Sequence, residues 1–174
     1  MIDNLQCDYV DDVNVDFDIL VSDNLRRTVK LMLAINKGAD ILSIRWLIDS
    51  DKEKKLLPLK DYILRDEEME KKLNFSVEEA LEKVRKEEQK LFEGKEFYLS
   101  KSVVPAYKEL RVLIESGGGK VMDNPSKRIL NVFNEKKEKK AIEQYKSQGY
   151  HLCNAETILE SIMQRKFEPT QSDE

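Results

Sequence analysis

Two short apolar runs, "FDILVSD" (Phe17 to Asp23) and "ADILSI" (Ala39 to Ile44), constrain this chain more than any other feature. Neither alternates with polar residues, which is the pattern of a strand buried on both faces. The stretch between them, "SDNLRRTVKLMLAINKG" (Ser22 to Gly38), reads as a helix capped by Asp23 or Asn24 and closed by Gly38. Strands joined through a helix pair in parallel, because a tight hairpin cannot make that connection. "RWLIDS" follows as a short helix, capped by Ser43 and carrying Trp46, Leu47 and Ile48. The expectation is an α/β fold with parallel sheets.

From Pro58 to Asn74 the pattern loosens into a connection. "SVEEALEKVRKEEQKLF" (Ser76 to Phe92) then has a capping box at Ser76 and Glu79. Val77, Ala80, Leu81, Val84 and Leu91 form a narrow stripe on an otherwise charged face, which predicts a linker helix lying against a domain.

The strand–helix rhythm restarts at "KEFYLS" (Lys95 to Ser100). "PAYKELRVLIESGG" reads as a helix with Pro105 at its start and glycines at its end. "GKVM", "RILNVFN" and "YHLCN" are the remaining strands. "EKKEKKAIEQYKSQG" is a solvated helix closing at Gly149, and "AETILESIMQRKF" is the last helix. Residues 13–65 match this second unit from its third strand onward, so the chain holds an internal repeat. The first copy has no opening strand and helix, although "CDYV" (Cys7 to Val10) fits its second strand.

With 174 residues, 40% apolar and 37% charged, the chain suits one ordinary domain or two small ones. No apolar run approaches a membrane span, and no secretory h-region follows Met1. Cys7 and Cys153 make neither a disulfide framework nor a metal pair, which points to a reducing compartment. The net charge of −4 argues for a protein or peptide partner and against nucleic acid. One histidine, His151, supports neither a nucleophile–base set nor a zinc site. "SGGGK" lacks phosphate-loop spacing and ends a helix, so no nucleotide cofactor is expected. A small nucleotide-binding enzyme is the remote alternative.

Arg26, Arg27 and Lys30 crowd the expected start of the first helix, where partial positive charge disfavours cations by ~0.3–1 kcal/mol each. Either a bound anion makes the arrangement worthwhile, or the patch is solvated and neutralised by Asp16, Asp18 and Asp23. Ser147-Gln148 and Thr170-Gln171 are dipeptides of the damage-kinase type.

Three stretches carry a resemblance: "RTVK" in the first helix, "GADILSIRWLIDS" leading to Trp46, and "LFEGKEFYLS…PAYKELRVLIESGGGKVM" at the restart. Together they resemble a tandem BRCT pair, the phosphopeptide-reading module of DNA-damage-response scaffolds. The similarity is best to the C-terminal pair of PAX-interacting-protein-like and fungal genome-maintenance scaffolds. It implies two repeats, each a four-stranded parallel sheet flanked by helices. The expected boundaries are 1–65 for the first repeat, 66–92 for a linker, 93–168 for the second repeat and 169–174 for a tail.

The resemblance also implies a nuclear, non-enzymatic role with no cofactor or metal. The implied partners are a phosphorylated peptide, in particular a damage-phosphorylated histone tail, and other DNA-repair proteins. Lys30 matches the phosphate-binding lysine and Thr28 a threonine that supports it. Arg27 matches the arginine that grips the peptide main chain or its terminal carboxylate, while Arg26 is assigned a structural role. Met32, Val103 and Val104 match walls of a peptide side-chain pocket. Two features depart from the pattern. The first repeat's opening strand is missing, so the chain is a fragment or another segment completes the sheet. Thr157 stands where the second repeat's tryptophan is expected, and Ala155 where some readers carry a basic residue. A phosphate-independent scaffold module is the alternative function.

Overall fold

The computed structural model describes residues 2–169, and the chain divides into two compact units between Lys86 and Glu87. Thr170-Gln171 lies outside the described residues. No helix among them is long and apolar enough to cross a membrane.

The first unit contains β1 (Ile19–Ser22), α1 (Val29–Lys37), β2 (Asp40–Ser43), α2 (Arg45–Glu53), α3 (Glu67–Leu73) and α4 (Val77–Lys86). β1 and β2 pair in parallel, with Leu20 opposite Ile41. β2 is covered on its other side by an isolated bridge to Ile63, where Leu64 donates to the Ile41 carbonyl at 2.9 Å. α1 buries Leu31, Met32, Leu33, Ala34 and Ile35 and stops at Gly38, whose φ of +65° suits glycine. Trp46 is 4% exposed, and its indole N–H donates to the Leu57 carbonyl at 2.8 Å. Ser50 on the same helix accepts from the Leu57 N–H at 3.1 Å, so α2 pins the returning chain at two points.

The second unit contains β3 (Glu96–Leu99), α5 (Tyr107–Ser116), β4 (Lys120–Met122), β5 (Leu130–Val132), α6 (Lys139–Ser147) and α7 (Ala155–Gln164). Its parallel sheet runs β4-β3-β5, with buried Phe97 and Leu99 at the centre. Phe92 packs edge-on against both Phe97 and Phe167. The "SGGGK" glycines follow from this packing: a Cβ on Gly117 would stand 2.5 Å from the Phe92 ring.

Several expectations are corrected. Among the described residues the sheets have two and three strands rather than four. "CDYV" forms no strand, and Tyr9 is 69% exposed. In the second unit "YHLCN" is reduced to one bridge, Asn131 to Leu152, because Asn154 already caps α7 and turns the chain away. The connection 58–74 holds the helix α3, capped by the Asp66 carboxylate and closed by Asn74 in the left-handed region. Its apolar periodicity is too sparse to signal a helix, but its caps and charge order do so. α4 ends at Lys86 rather than Phe92. Beyond it Glu87 takes a two-point contact, at 2.6 and 2.8 Å, from the Arg165 guanidinium, whose side chain is 2% exposed. His151 is exposed, whereas burial pushes the Cys153 thiol up to about 12.

At the end of β3, one carboxylate organises the second unit. Glu138 accepts from Ser100 at 2.5 Å, from Ser102 at 2.6 Å and from the Asn134 N–H at 2.8 Å. Burial works against its charged form, but the three donors outweigh burial and hold its carboxyl below the usual value of 4.5. A group with a lowered folded pKa stabilises above the unfolded value and loses that contribution as pH falls through the folded one. The denaturation midpoint of the second unit is therefore expected to drop as pH falls below 4.5, and Glu138→Gln to flatten that drop.

Candidate functional site

α1 does not start where the sequence suggests. Its N-cap is Thr28, at φ −98° and ψ 163°, and the Thr28 hydroxyl accepts from the Leu31 N–H at 3.1 Å. Arg26 and Arg27 therefore lie in the preceding loop, and Lys30 alone of the three sits in the first turn. Leu25, 1% exposed, anchors that loop. Ser22 at the end of β1 donates to the Asn24 carbonyl at 2.7 Å and shapes its entry.

These elements enclose a cleft of about 230 Å³. It is lined by the end of β1 (Leu20, Val21 and Ser22), by the loop including Arg26, and by Thr28, Lys30 and Leu31. The first N–H groups of a helix lack intrahelical partners and carry partial positive charge, so an anion is favoured at this mouth. Thr28 and Lys30 both line this cleft. Arg27 is exposed on the same loop without lining the cleft. Met32 is 2% exposed and part of the first unit's core. In the second unit, Val103 is buried and Val104 is 72% exposed.

Of the polar and charged residues lining the cleft, sequence reasoning did not assign Ser22, Asp23, Asn24 or Arg26 to it. Ser22 lies at the carboxyl end of a parallel strand, where ligands of α/β sheets gather, and that rule could have found it. Arg26, structural by the sequence reading, lines the cleft while Arg27 does not. The sequence also gives no sign that Lys30 forms an ion pair with Asp11. That carboxylate is the main reason the Lys30 ammonium is held above its ordinary pKa. Asp16 pairs instead with Lys37, which also stands 5.0 Å over the Phe17 ring. The expected neutralisation by Asp16, Asp18 and Asp23 is replaced at Lys30 by Asp11. No group of three or more potential metal ligands occurs among the described residues.

Lys30 and Asp11 are both exposed, and such a pair contributes at most ~1 kcal/mol. A ligand anion at Lys30 must displace Asp11. Asp11→Asn is expected to raise affinity for an anionic ligand at the cleft up to about fivefold, measured by titration at fixed ionic strength.

The chain thus holds two parallel α/β units, the first with a cation in the opening turn of a helix beside a strand end. Residues 90–173 match the BRCT domain family, and the second unit is a BRCT domain. The chain is 40% identical over 100 residues to Mediator of DNA damage checkpoint protein 1 of Homo sapiens, covering 58% of this chain and 5% of that protein. It is 30% identical over 157 residues to PAX-interacting protein 1 of Bos taurus, covering 83% of this chain and 16% of that protein. The chain thus spans a small part of the length of these relatives. Among solved structures, it matches the Brc1 BRCT5-BRCT6 domains of S. pombe with a TM-score of 0.69, at 19% identity over 88% of this chain and 81% of that one. It also matches Rtt107p in a complex with a phosphorylated histone, with a TM-score of 0.62, at 12% identity over 91% of this chain and 75% of that one. The fold is that of tandem BRCT structures.

Proposed function

We propose that this chain is a non-catalytic reader of a phosphoserine peptide. Its ligand is a damage-phosphorylated histone tail ending soon after Ser-Gln, and its setting is the nuclear DNA damage response. The observation that carries this reading is the cleft at the carboxyl end of β1, where Thr28 and Lys30 stand at the first N–H groups of α1. A phosphate brings about −1.5 to −2 charge and three strong acceptors to such a site. The solved complex of a structural neighbour with a phosphorylated histone supports the same class of ligand. Arg27, exposed on the loop, supplies a planar fork suited to a carboxylate, which a lysine would meet only as a point charge. The module would tether a larger scaffold and other DNA-repair proteins to damaged chromatin.

The test is a fluorescence-anisotropy titration with three versions of one Ser-Gln tail peptide: phosphorylated, unmodified, and phosphorylated with an amidated C-terminus. The phosphorylated peptide is expected to bind at least about tenfold more tightly than the unmodified one. Amidation is expected to cost several-fold in wild type and nothing further in Arg27→Ala. Equal affinity for phosphorylated and unmodified forms overturns the reading. Unchanged affinity on amidation removes only the Arg27 role.

A second reading, a scaffold module blind to phosphate, is favoured by one observation: the chain's own Asp11 occupies Lys30. Under that reading, capture of a partner would be insensitive to phosphatase.

A further inference from the structure

The net charge of −4, which argues against nucleic acid for the chain as a whole, conceals one stretch of opposite sign. Between Lys127 and Lys146 the chain carries seven lysines and arginines against three carboxylates, and all seven cations are exposed. None of them forms an ion pair among the described residues, whereas Lys37, Arg85, Lys86 and Arg111 each pair with a carboxylate. Two carboxylates of the stretch are engaged by neutral donors instead. Glu138 holds Ser100, Ser102 and Asn134, and Glu135 accepts from the Asn154 side chain at 2.8 Å. The third, Glu143, is exposed on α6.

The cations follow one element. Asn134 accepts from the Lys136 and Lys137 N–H groups at 3.0 and 3.1 Å and fixes the loop that carries them. Lys139 and Lys140 open α6, and Lys146 lies in its last turn. At that end Tyr145 packs edge-on against Tyr150, with ring centroids 4.8 Å apart. The Lys127 ammonium stands 5.8 Å from the Tyr150 ring centre, which brings it to the same end of the helix. The stripe thus runs the length of α6, about 14 Å. Ala141, Ile142 and Tyr145 are half-buried, while the lysines stay on the solvent side. Cations at a helix start lower its stability, so the fold gains nothing from this arrangement.

We propose that this lysine stripe binds the phosphate backbone of duplex DNA. The chemistry of the surface selects that partner. A protein interface has an apolar, aromatic-rich core from which lysine is depleted, and no large hydrophobic residue from 127 to 148 is exposed. The same lack leaves nothing to insert into a membrane. Single strands are held on open aromatic rings. Here Tyr145 and Tyr150 are half-buried against each other, and Phe133 stacks on Tyr145 at 5.0 Å. Duplex DNA presents about one negative charge per 1.7 Å of its axis and asks only for point charges along a line. Lysine supplies them. The stripe lies within the second unit, so the inference does not depend on phosphate binding at Lys30.

The test is a titration of the full chain into a fluorescein-labelled duplex of about 20 base pairs, read by anisotropy from about 50 to 200 mM salt. The logarithm of the binding constant is expected to fall with the logarithm of salt at a slope of about −4 to −6, since each neutralised phosphate contributes about −0.9. Lys136→Gln, Lys137→Gln, Lys139→Gln and Lys140→Gln combined are expected to weaken binding at low salt by at least about tenfold and to flatten the slope by about 3 to 4. Lys55→Gln, Lys60→Gln, Lys71→Gln and Lys72→Gln combined remove the same charge from the first unit and are expected to leave both nearly unchanged. Glu143→Gln is expected to tighten binding about two- to threefold, a gain that a damaged fold cannot produce. Four results would overturn the proposal. They are no binding by wild type at the lowest salt, equal losses in the two lysine variants, unchanged affinity in Glu143→Gln, and displacement of the duplex by polyglutamate at equal charge concentration. The last would mean that an acidic protein covers the stripe.

Discussion

Lys30→Glu is expected to abolish any preference for a phosphorylated peptide over its unmodified form. Lys30 is the cation in the first turn of α1, and it lines the cleft with Thr28 and Ser22. A charge-assisted hydrogen bond contributes about 1.5–3 kcal/mol, so its loss alone weakens binding about 10- to 100-fold. The substitution adds more, since it sets a carboxylate beside a dianion at a position where Asp11 already supplies negative charge. The side chain is about half exposed, so the fold is expected to survive, which the far-UV circular dichroism spectrum checks. Affinity for the unmodified peptide serves as the internal control. If the mutant retains the phosphate preference, Lys30 has no phosphate-binding role.

The largest expected effect on stability is at Trp46→Ala. Trp46 is the only tryptophan, it is 4% exposed, and its N–H bond to Leu57 ties α2 to the segment that leads to Ile63 beside β2. Truncating a buried tryptophan costs about 3–5 kcal/mol, and the unit relaxes only in part around the cavity. That is a large fraction of the total for a small unit. The first unit of Trp46→Ala is expected to melt well before the second, so that thermal unfolding by circular dichroism shows two steps. In wild type, tryptophan fluorescence reports the first unit alone. Trp46→Phe keeps much of the volume but leaves the Leu57 carbonyl without its donor, and an intermediate loss is expected. A single unchanged transition for Trp46→Ala would mean that Trp46 is not part of the first unit's core.

The fold was legible where burial is carried by short continuous apolar runs. "DILVS" and "ADILS" have no polar alternation, and both are strands of a parallel pair. Helix ends were less legible, because local capping competes among several candidates. Asp23 and Asn24 are good N-caps by type, but Leu25 is drawn into the core and the chain turns helical only at Thr28. That shift along the chain decides which cations face the helix mouth. The residue types of the candidate site were therefore apparent, while its geometry was not. Lys30 and Thr28 both line the cleft, Arg26 enters its lining, and Met32 turns inward. The ion pair with Asp11 bridges segments distant in sequence, and no periodicity records it. The two-point contact of Arg165 with Glu87 is illegible for the same reason.

The most direct test of phosphopeptide reading is a residue-resolved titration of the ¹⁵N-labelled chain with the phosphorylated and unmodified Ser-Gln tail peptides. Only the phosphorylated peptide is expected to shift the amides of Ser22 to Leu31, with the largest changes at Thr28, Val29 and Lys30. Identical shifts from both peptides, or shifts that leave those residues untouched, would contradict a phosphate site at the mouth of α1.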